Sequence, residues 1–149
     1  MFLKRIKDLR EDTDLRGSDL ARILGVSTSN YSRWETDECL IPIKHLNNLC
    51  NYFHVSIDYM IGLSDEKAYD NMKLEINRET IGKRIKTFRK QNYLTQEKLA
   101  EELHTSHSTI SSYEHGKTMI LTAFAYDICT KFSLSFDYLI GRTEENKLK

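Results

Sequence analysis

Residues 96–114, QEKLAEELHTSHSTISSYE, decide how this chain is read. Thr95, just before them, has the short hydroxyl of a helix N-cap, and Glu97 sits in the first turn, where the helix dipole favours a negative charge. Leu99, Ala100 and Leu103 then form one inner face of a helix only about two turns long. Ser106 caps the next helix, whose inward residues Ile110 and Tyr113 lie three apart, while His107, Ser108, Ser111 and Ser112 face water. A polar loop, His115-Gly116-Lys117, follows.

Working outward, the same pattern occurs 79 residues earlier. Between Lys4 and Glu66, 22 of 63 positions match their counterparts at that offset without a gap, where chance gives about one in sixteen. Lys4-Arg5-Ile6-Lys7 returns as Lys83-Arg84-Ile85-Lys86, and Ser56 to Gly62 returns as Ser135 to Gly141. A unit of about 63 residues is long enough to fold alone, so the repeat predicts two small domains rather than a solenoid. In the second copy Ile81, Ile85 and Phe88 predict a first helix that starts at Asn77 or Thr80 and ends near Asn92. Its Lys83, Arg84, Lys86, Arg89 and Lys90 are largely outward. Phe124, Ile128 and Phe132 mark a fourth helix, and Ser135 to Gly141 a short fifth one. No stretch shows sustained strand alternation.

The pattern Gln-x-x-x-Ala-x-x-x-x-x-Ser-x-x-x-Ile-x-x-Tyr-Glu over Gln96–Glu114 resembles the helix-turn-helix of the phage repressor and Cro family, also called XRE, and the resemblance covers nearly the whole chain twice. It implies an all-α protein of two lambda-repressor-like five-helix DNA-binding domains, residues 1–66 and 79–145, joined by a connector at 67–78. Ala21 and Ala100 are the small residues that two closely packed helices need; Tyr31 with Trp34, and Ile110 with Tyr113, anchor the third helix. Such a helix fits the major groove, where donors and acceptors distinguish base pairs. By position the resemblance makes Ser106, His107, Ser108 and Ser112 base readers, with Thr109 and Ser111 beside them, and imidazole can bond a guanine edge or a phosphate. Gln96, His115 and Lys117 would hold phosphates. Arg89 with Glu114, and Arg10 with Glu35, match a partly buried structural ion pair of the family. His104 stands where the family prefers glycine, as Gly25 does in the first copy, and histidine tolerates positive φ.

The copies differ where DNA would lie. Gly17 replaces the glutamine, and Asp37 and Glu38 replace Gly116 and Lys117. Ser27, Thr28, Ser29 and Asn30 still form a polar face, and Arg33 could bond a guanine bidentately. The second copy is therefore the expected main reader, and the first a weak binder or a partner surface. Residues 1–74 carry 10 basic and 12 acidic side chains and residues 75–149 the reverse, for a net charge of zero.

Ser64-Asp65-Glu66 looks like a cap with an acidic first turn, and Tyr69, Met72 and Ile76 follow at helical spacing, which predicts an amphipathic helix over 65–76. Cys50 and Cys129 are equivalent and read as buried core thiols; neither disulfide nor zinc spacing is present. Glu101-x-x-His104 is half of a di-iron pattern whose other half the chain lacks. With no glycine-rich phosphate loop and no recognisable nucleophile set, neither enzymatic activity nor a cofactor is expected. No apolar run approaches a membrane span and the start is charged, so the cytoplasm is the expected location. The leading expectation is a sequence-specific transcriptional regulator, a repressor, that binds double-stranded DNA. Two motifs in one chain can mimic a dimer or form a homodimer. The alternative is an interaction module, antitoxin-like or anti-repressor, that meets a protein partner through domain 1 or the connector.

Overall fold

Each copy winds into five helices, and a side-chain cap just outside six of the ten explains where those start. The computed structural model describes residues 2–148, which contain ten helices and no strand. In the first copy α1 spans Ile6–Asp12, α2 Gly17–Leu24, α3 Thr28–Glu35, α4 Ile43–Phe53 and α5 Ile57–Met60. In the second, α6 spans Arg78–Gln91, α7 Gln96–Glu102, α8 His107–Glu114, α9 Thr122–Phe132 and α10 Phe136–Leu139. The chain divides into two compact units, one ending at Leu74 and the other starting at Glu75.

Capping is local chemistry and follows the sequence closely. Ser27, Asn77, Thr95 and Ser106 each accept the backbone N–H three residues on, at 3.1, 2.8, 3.1 and 3.2 Å. Ser56 and Ser135 do the same for α5 and α10, at 3.0 and 3.2 Å. Each such cap contributes about 1 kcal/mol. Between the paired helices the chain turns through positive φ, 70° at Gly25 and 55° at His104, as the turn position requires. The next N–H, of Val26 or Thr105, then reaches back to the carbonyl of Ala21 or Ala100 at 2.9 Å.

The two cores are built alike. Leu20, Ala21, Tyr31 and Trp34 in one, and Leu99, Ala100, Ile110 and Tyr113 in the other, are buried where the paired helices meet. Cys50 and Cys129 lie in the two cores as free thiols, whereas the free thiol of Cys39 is exposed. Gly82 lets α6 pass the end of α8, since a Cβ there would sit 2.4 Å from the Tyr113 carbonyl oxygen.

Two expectations need correction. Arg84 and Arg89 do not point outward: Arg89 is buried, and Arg84 stacks on Tyr138 at 4.1 Å and donates to the Tyr138 and Thr143 carbonyls at 2.7 and 3.0 Å. The helix expected over 65–76 does not form. Its carbonyls are claimed instead by the first unit, with Lys67 O accepting from Ser56 N at 2.6 Å and Leu74 O from Asn47 and Asn51 Nδ2 at 2.8 and 2.9 Å. Tyr69 packs on His54 at 5.0 Å, and Ala68 and Asn71 take positive φ. A twelve-residue helix is marginal alone, so these docking contacts prevail. No helix among the described residues is long and apolar enough to cross a membrane.

Candidate nucleic-acid interface

A buried ion pair anchors the interface in the second unit. Arg89 donates Nε and Nη2 to the two oxygens of Glu114 at 2.7 and 3.0 Å and Nη1 to the Leu94 carbonyl at 2.8 Å. The side chains are 11% and 2% exposed, and the hydrogen bonds that Arg89 gives to Glu114 raise the Arg89 pKa above its ordinary value. Glu114 also accepts from Gln96 Nε2 at 3.2 Å. The other end of that amide meets His107 Nε2 at 2.7 Å. Gln96 opens α7 and His107 opens α8, so one chain of contacts runs from the core to the first turn of both helices.

The structure gathers the hydroxyls of Ser106, Ser108 and Thr109 at the start of α8, with Ser106 Oγ 3.1 Å from Ser108 Oγ and 2.9 Å from Thr109 Oγ1. Ser106, His107 and Ser108 are exposed, and Thr109, Ser111 and Ser112 half-buried. Ser106 therefore caps first, and its hydroxyl is already engaged within the helix. His115 turns back on its own helix, its Nδ1 meeting the Ser111 carbonyl at 2.7 Å, so this nitrogen is the donor. Lys117 remains exposed beyond the end of α8, and its carbonyl holds Arg78 Nη1 at 3.0 Å. Arg78 thus adds a second cation beside this loop, which sequence spacing did not single out.

The first unit repeats the ion pair with a different third member. Arg10 binds Glu35 at 2.8 and 3.1 Å, but the extra donor is the Tyr31 hydroxyl at 2.7 Å. Burial, then the Glu35 carboxylate beside it, push the Tyr31 pKa far up, so it stays a donor. A Cβ at residue 17 would lie 3.4 Å from Cε1 of this ring, an ordinary contact, so only a side chain longer than alanine's would crowd it. The pair Gln96 and Ile110 is thus exchanged for Gly17 and Tyr31. Both members were visible in the 79-residue register, but their contact was not.

The corresponding surface of this unit carries an exposed ion pair. Ser27, Thr28, Ser29 and Asn30 are exposed, and Arg33 pairs with Glu38 at 3.5 Å. Asp37 is exposed at the end of α3. It takes φ 63°, matching Gly116 at 69°, and its carboxylate accepts the Phe2 N–H at 2.9 Å, which lowers its pKa. At the start of α2, Asp19 accepts the Arg16 N–H at 2.8 Å and flanks Arg16 and Arg22 at 3.7 and 3.3 Å. That bond is the chief reason its pKa is lowered. The equivalent residue in the second unit is Lys98. This sign reversal was legible from the register and was missed.

A short helix, a positive-φ turn and a second helix with a polar first turn define a helix-turn-helix protein, here with two such units. Comparison with known proteins agrees, since a helix-turn-helix model matches residues 6–60 and a helix-turn-helix domain model matches residues 82–145. The chain thus carries two helix-turn-helix domains in tandem, consistent with a tandem protein of the XRE type. It is 32% identical over 66 residues, 44% of its length, to the uncharacterized HTH-type transcriptional regulator YobD of Bacillus subtilis, of which it covers 59%. It is 38% identical over 84 residues, 53% of each chain, to the antitoxin PezA of Streptococcus pneumoniae. The chain thus spans a little over half the length of each relative.

Proposed function

We propose that this protein is a sequence-specific regulator of transcription, a repressor, that binds double-stranded DNA with its second unit as the main reader. The observation that carries this reading is the Glu114–Gln96–His107 contact chain, which presents the starts of α7 and α8 together. Gln96 has one more amide hydrogen to give a phosphate, and the exposed N–H groups of the α7 first turn favour the same anion. Ser108, Thr109 and Ser112 read bases beside His107, and Lys117, helped by Arg78, neutralises phosphates. In the first unit Ser27, Thr28, Ser29, Asn30 and Arg33 form the weaker face. Replacing Lys117 by alanine should reduce the slope of log affinity against log salt by about one unit, and an unchanged slope contradicts the phosphate role.

A second reading, a partner-binding module of antitoxin type, draws on the relative named as an antitoxin and on the acidic side chains of the first unit. A titration with random genomic fragments at about 50 mM salt separates the two. A DNA reader binds non-specifically with Kd near 10⁻⁴ to 10⁻⁶ M or tighter, whereas a partner module does not.

A further inference from the structure

The carboxylate of Glu114 offers only lone pairs, and this determines the polarity of every group joined to it. Gln96 must turn Nε2 toward Glu114, at 3.2 Å, and so its Oε1 toward His107 Nε2, at 2.7 Å. An amide oxygen only accepts, so the hydrogen in the second contact belongs to His107 Nε2. The Glu97 carboxylate, 3.7 Å from the same nitrogen, favours the same placement. A neutral imidazole protonated at Nε2 keeps its lone pair on Nδ1. His107 is the first residue of α8, its side chain is 52% exposed, and its Nδ1 has no partner among the described residues.

Resting on the DNA-reading function proposed above, we infer that His107 is a specificity-determining residue that accepts a hydrogen bond from the exocyclic amine of a base, adenine N6 or cytosine N4, and rejects guanine there. In the major groove guanine presents N7 and O6 and thymine O4, all acceptors, which would face the Nδ1 lone pair without a hydrogen between them. A phosphate oxygen fails for the same reason. The guanine or phosphate contact expected from an unspecified imidazole is therefore replaced by an amine contact. Gln96 acts as the positioning residue: one amide hydrogen holds Glu114, the other remains for a phosphate, and the amide oxygen sets the polarity of the reader. The first unit has Gly17 and Thr28 at these two positions and cannot build the arrangement.

The test uses the full chain and selection of bound fragments from a random double-stranded library, with wild type, His107→Ala and Gln96→Ala in parallel. Every base pair carries one such amine, so the pair whose preference is lost in His107→Ala fixes the position, and its adenine or cytosine is the base to alter. Replacing that base by its analogue without the amine, purine for adenine or 2-pyrimidinone for cytosine, should weaken wild type about tenfold and leave His107→Ala unchanged. Gln96→Ala should weaken binding to all sequences and also admit guanine at that position, a relaxation that a merely structural role would not produce. Nitrogen-15 spectra of the free chain should show Nδ1 as the unprotonated ring nitrogen. Indifference to the amine of that pair, or a proton on Nδ1, would overturn the inference. A chain that selects a site with no His107-dependent position refutes the inference alone, whereas one that binds no DNA at low salt refutes the DNA-reading function as well.

Discussion

Replacing Tyr31 by phenylalanine removes one oxygen atom and with it the 2.7 Å hydrogen bond to Glu35. Tyr31 is 1% exposed and the Glu35 side chain 14%, so water cannot take the place of that donor. A hydrogen bond to a charged group contributes about 1.5–3 kcal/mol, and its middle value gives a loss of about 2 kcal/mol for the first unit. With a urea slope of about 2 kcal/mol/M, the unfolding midpoint falls by about 1 M. Trp34, the one tryptophan of the chain, is buried in this unit, so its fluorescence reports the transition without signal from the second unit. A mutant cycle sharpens the test. Gly17→Gln alone crowds the Tyr31 ring, and Tyr31→Ile alone leaves Glu35 short of a donor and a gap where the ring stood. Together they copy Gln96 and Ile110, so the double variant should recover about 1–2 kcal/mol relative to the sum of the single losses. Additive losses, or a Tyr31→Phe midpoint equal to wild type, would refute the idea that the phenol and the amide are interchangeable donors.

His45 lies 5.3 Å from Trp34, its Nδ1 is buried without a hydrogen bond, and burial, then the Lys44 charge, lowers its pKa. The unfolded chain then binds more protons just below the ordinary value of about 6.5, so stability is complete above that pH and declines as pH falls through it. His45→Phe, copying Phe124, should flatten the decline seen by Trp34 fluorescence. Tyr93 is 96% exposed at φ 57°, so Tyr93→Asn should relieve roughly 1 kcal/mol of backbone strain and raise the melting midpoint of the second unit by about 4–8 °C in circular dichroism. Arg142 and Asp137, 2.8 Å apart, are 0% and 1% exposed. Asp137→Ala should cost the second unit about 3–5 kcal/mol in hydrogen-exchange protection of α9 and α10, with the Trp34 midpoint unmoved.

What the sequence made legible is what depends on near neighbours. Thr95, Ser106 and Asn77 cap because their oxygens reach an N–H three residues on, and His104 takes positive φ because the turn beside it demands that. The two ion pairs were legible only through family resemblance, since Arg89 and Glu114 stand 25 residues apart. The connector was misread for the opposite reason. Its spacing suits a helix, but Asn47, Asn51 and Ser56 claim its carbonyls from elements that no local pattern links to it. The contacts of His115 with the Ser111 carbonyl and of Arg33 with Glu38 lie within four and five residues, yet the family pattern that singled both out says nothing of them.

The weaker case for the first unit also shifts from its loop to the start of α2. Glu38 and Arg33 form an exposed pair at 3.5 Å, 66% and 59% exposed, and such a pair contributes at most about 1 kcal/mol, which an incoming phosphate or base can displace cheaply. Asp37 is exposed and its carboxylate accepts the Phe2 N–H. Asp19 is different, because the Arg16 N–H and the helix dipole both hold its negative charge in the first turn of α2. That anion sits at the end of the helix where a phosphate would otherwise bind, and Gly17 offers no side chain to bind one. In the second unit the same two positions are Gln96 and Lys98, an amide and a cation. The difference in DNA affinity between the copies should therefore follow residues 17 and 19 more than residues 37 and 38, since an engaged anion at a helix start cannot swing aside as an exposed loop glutamate can.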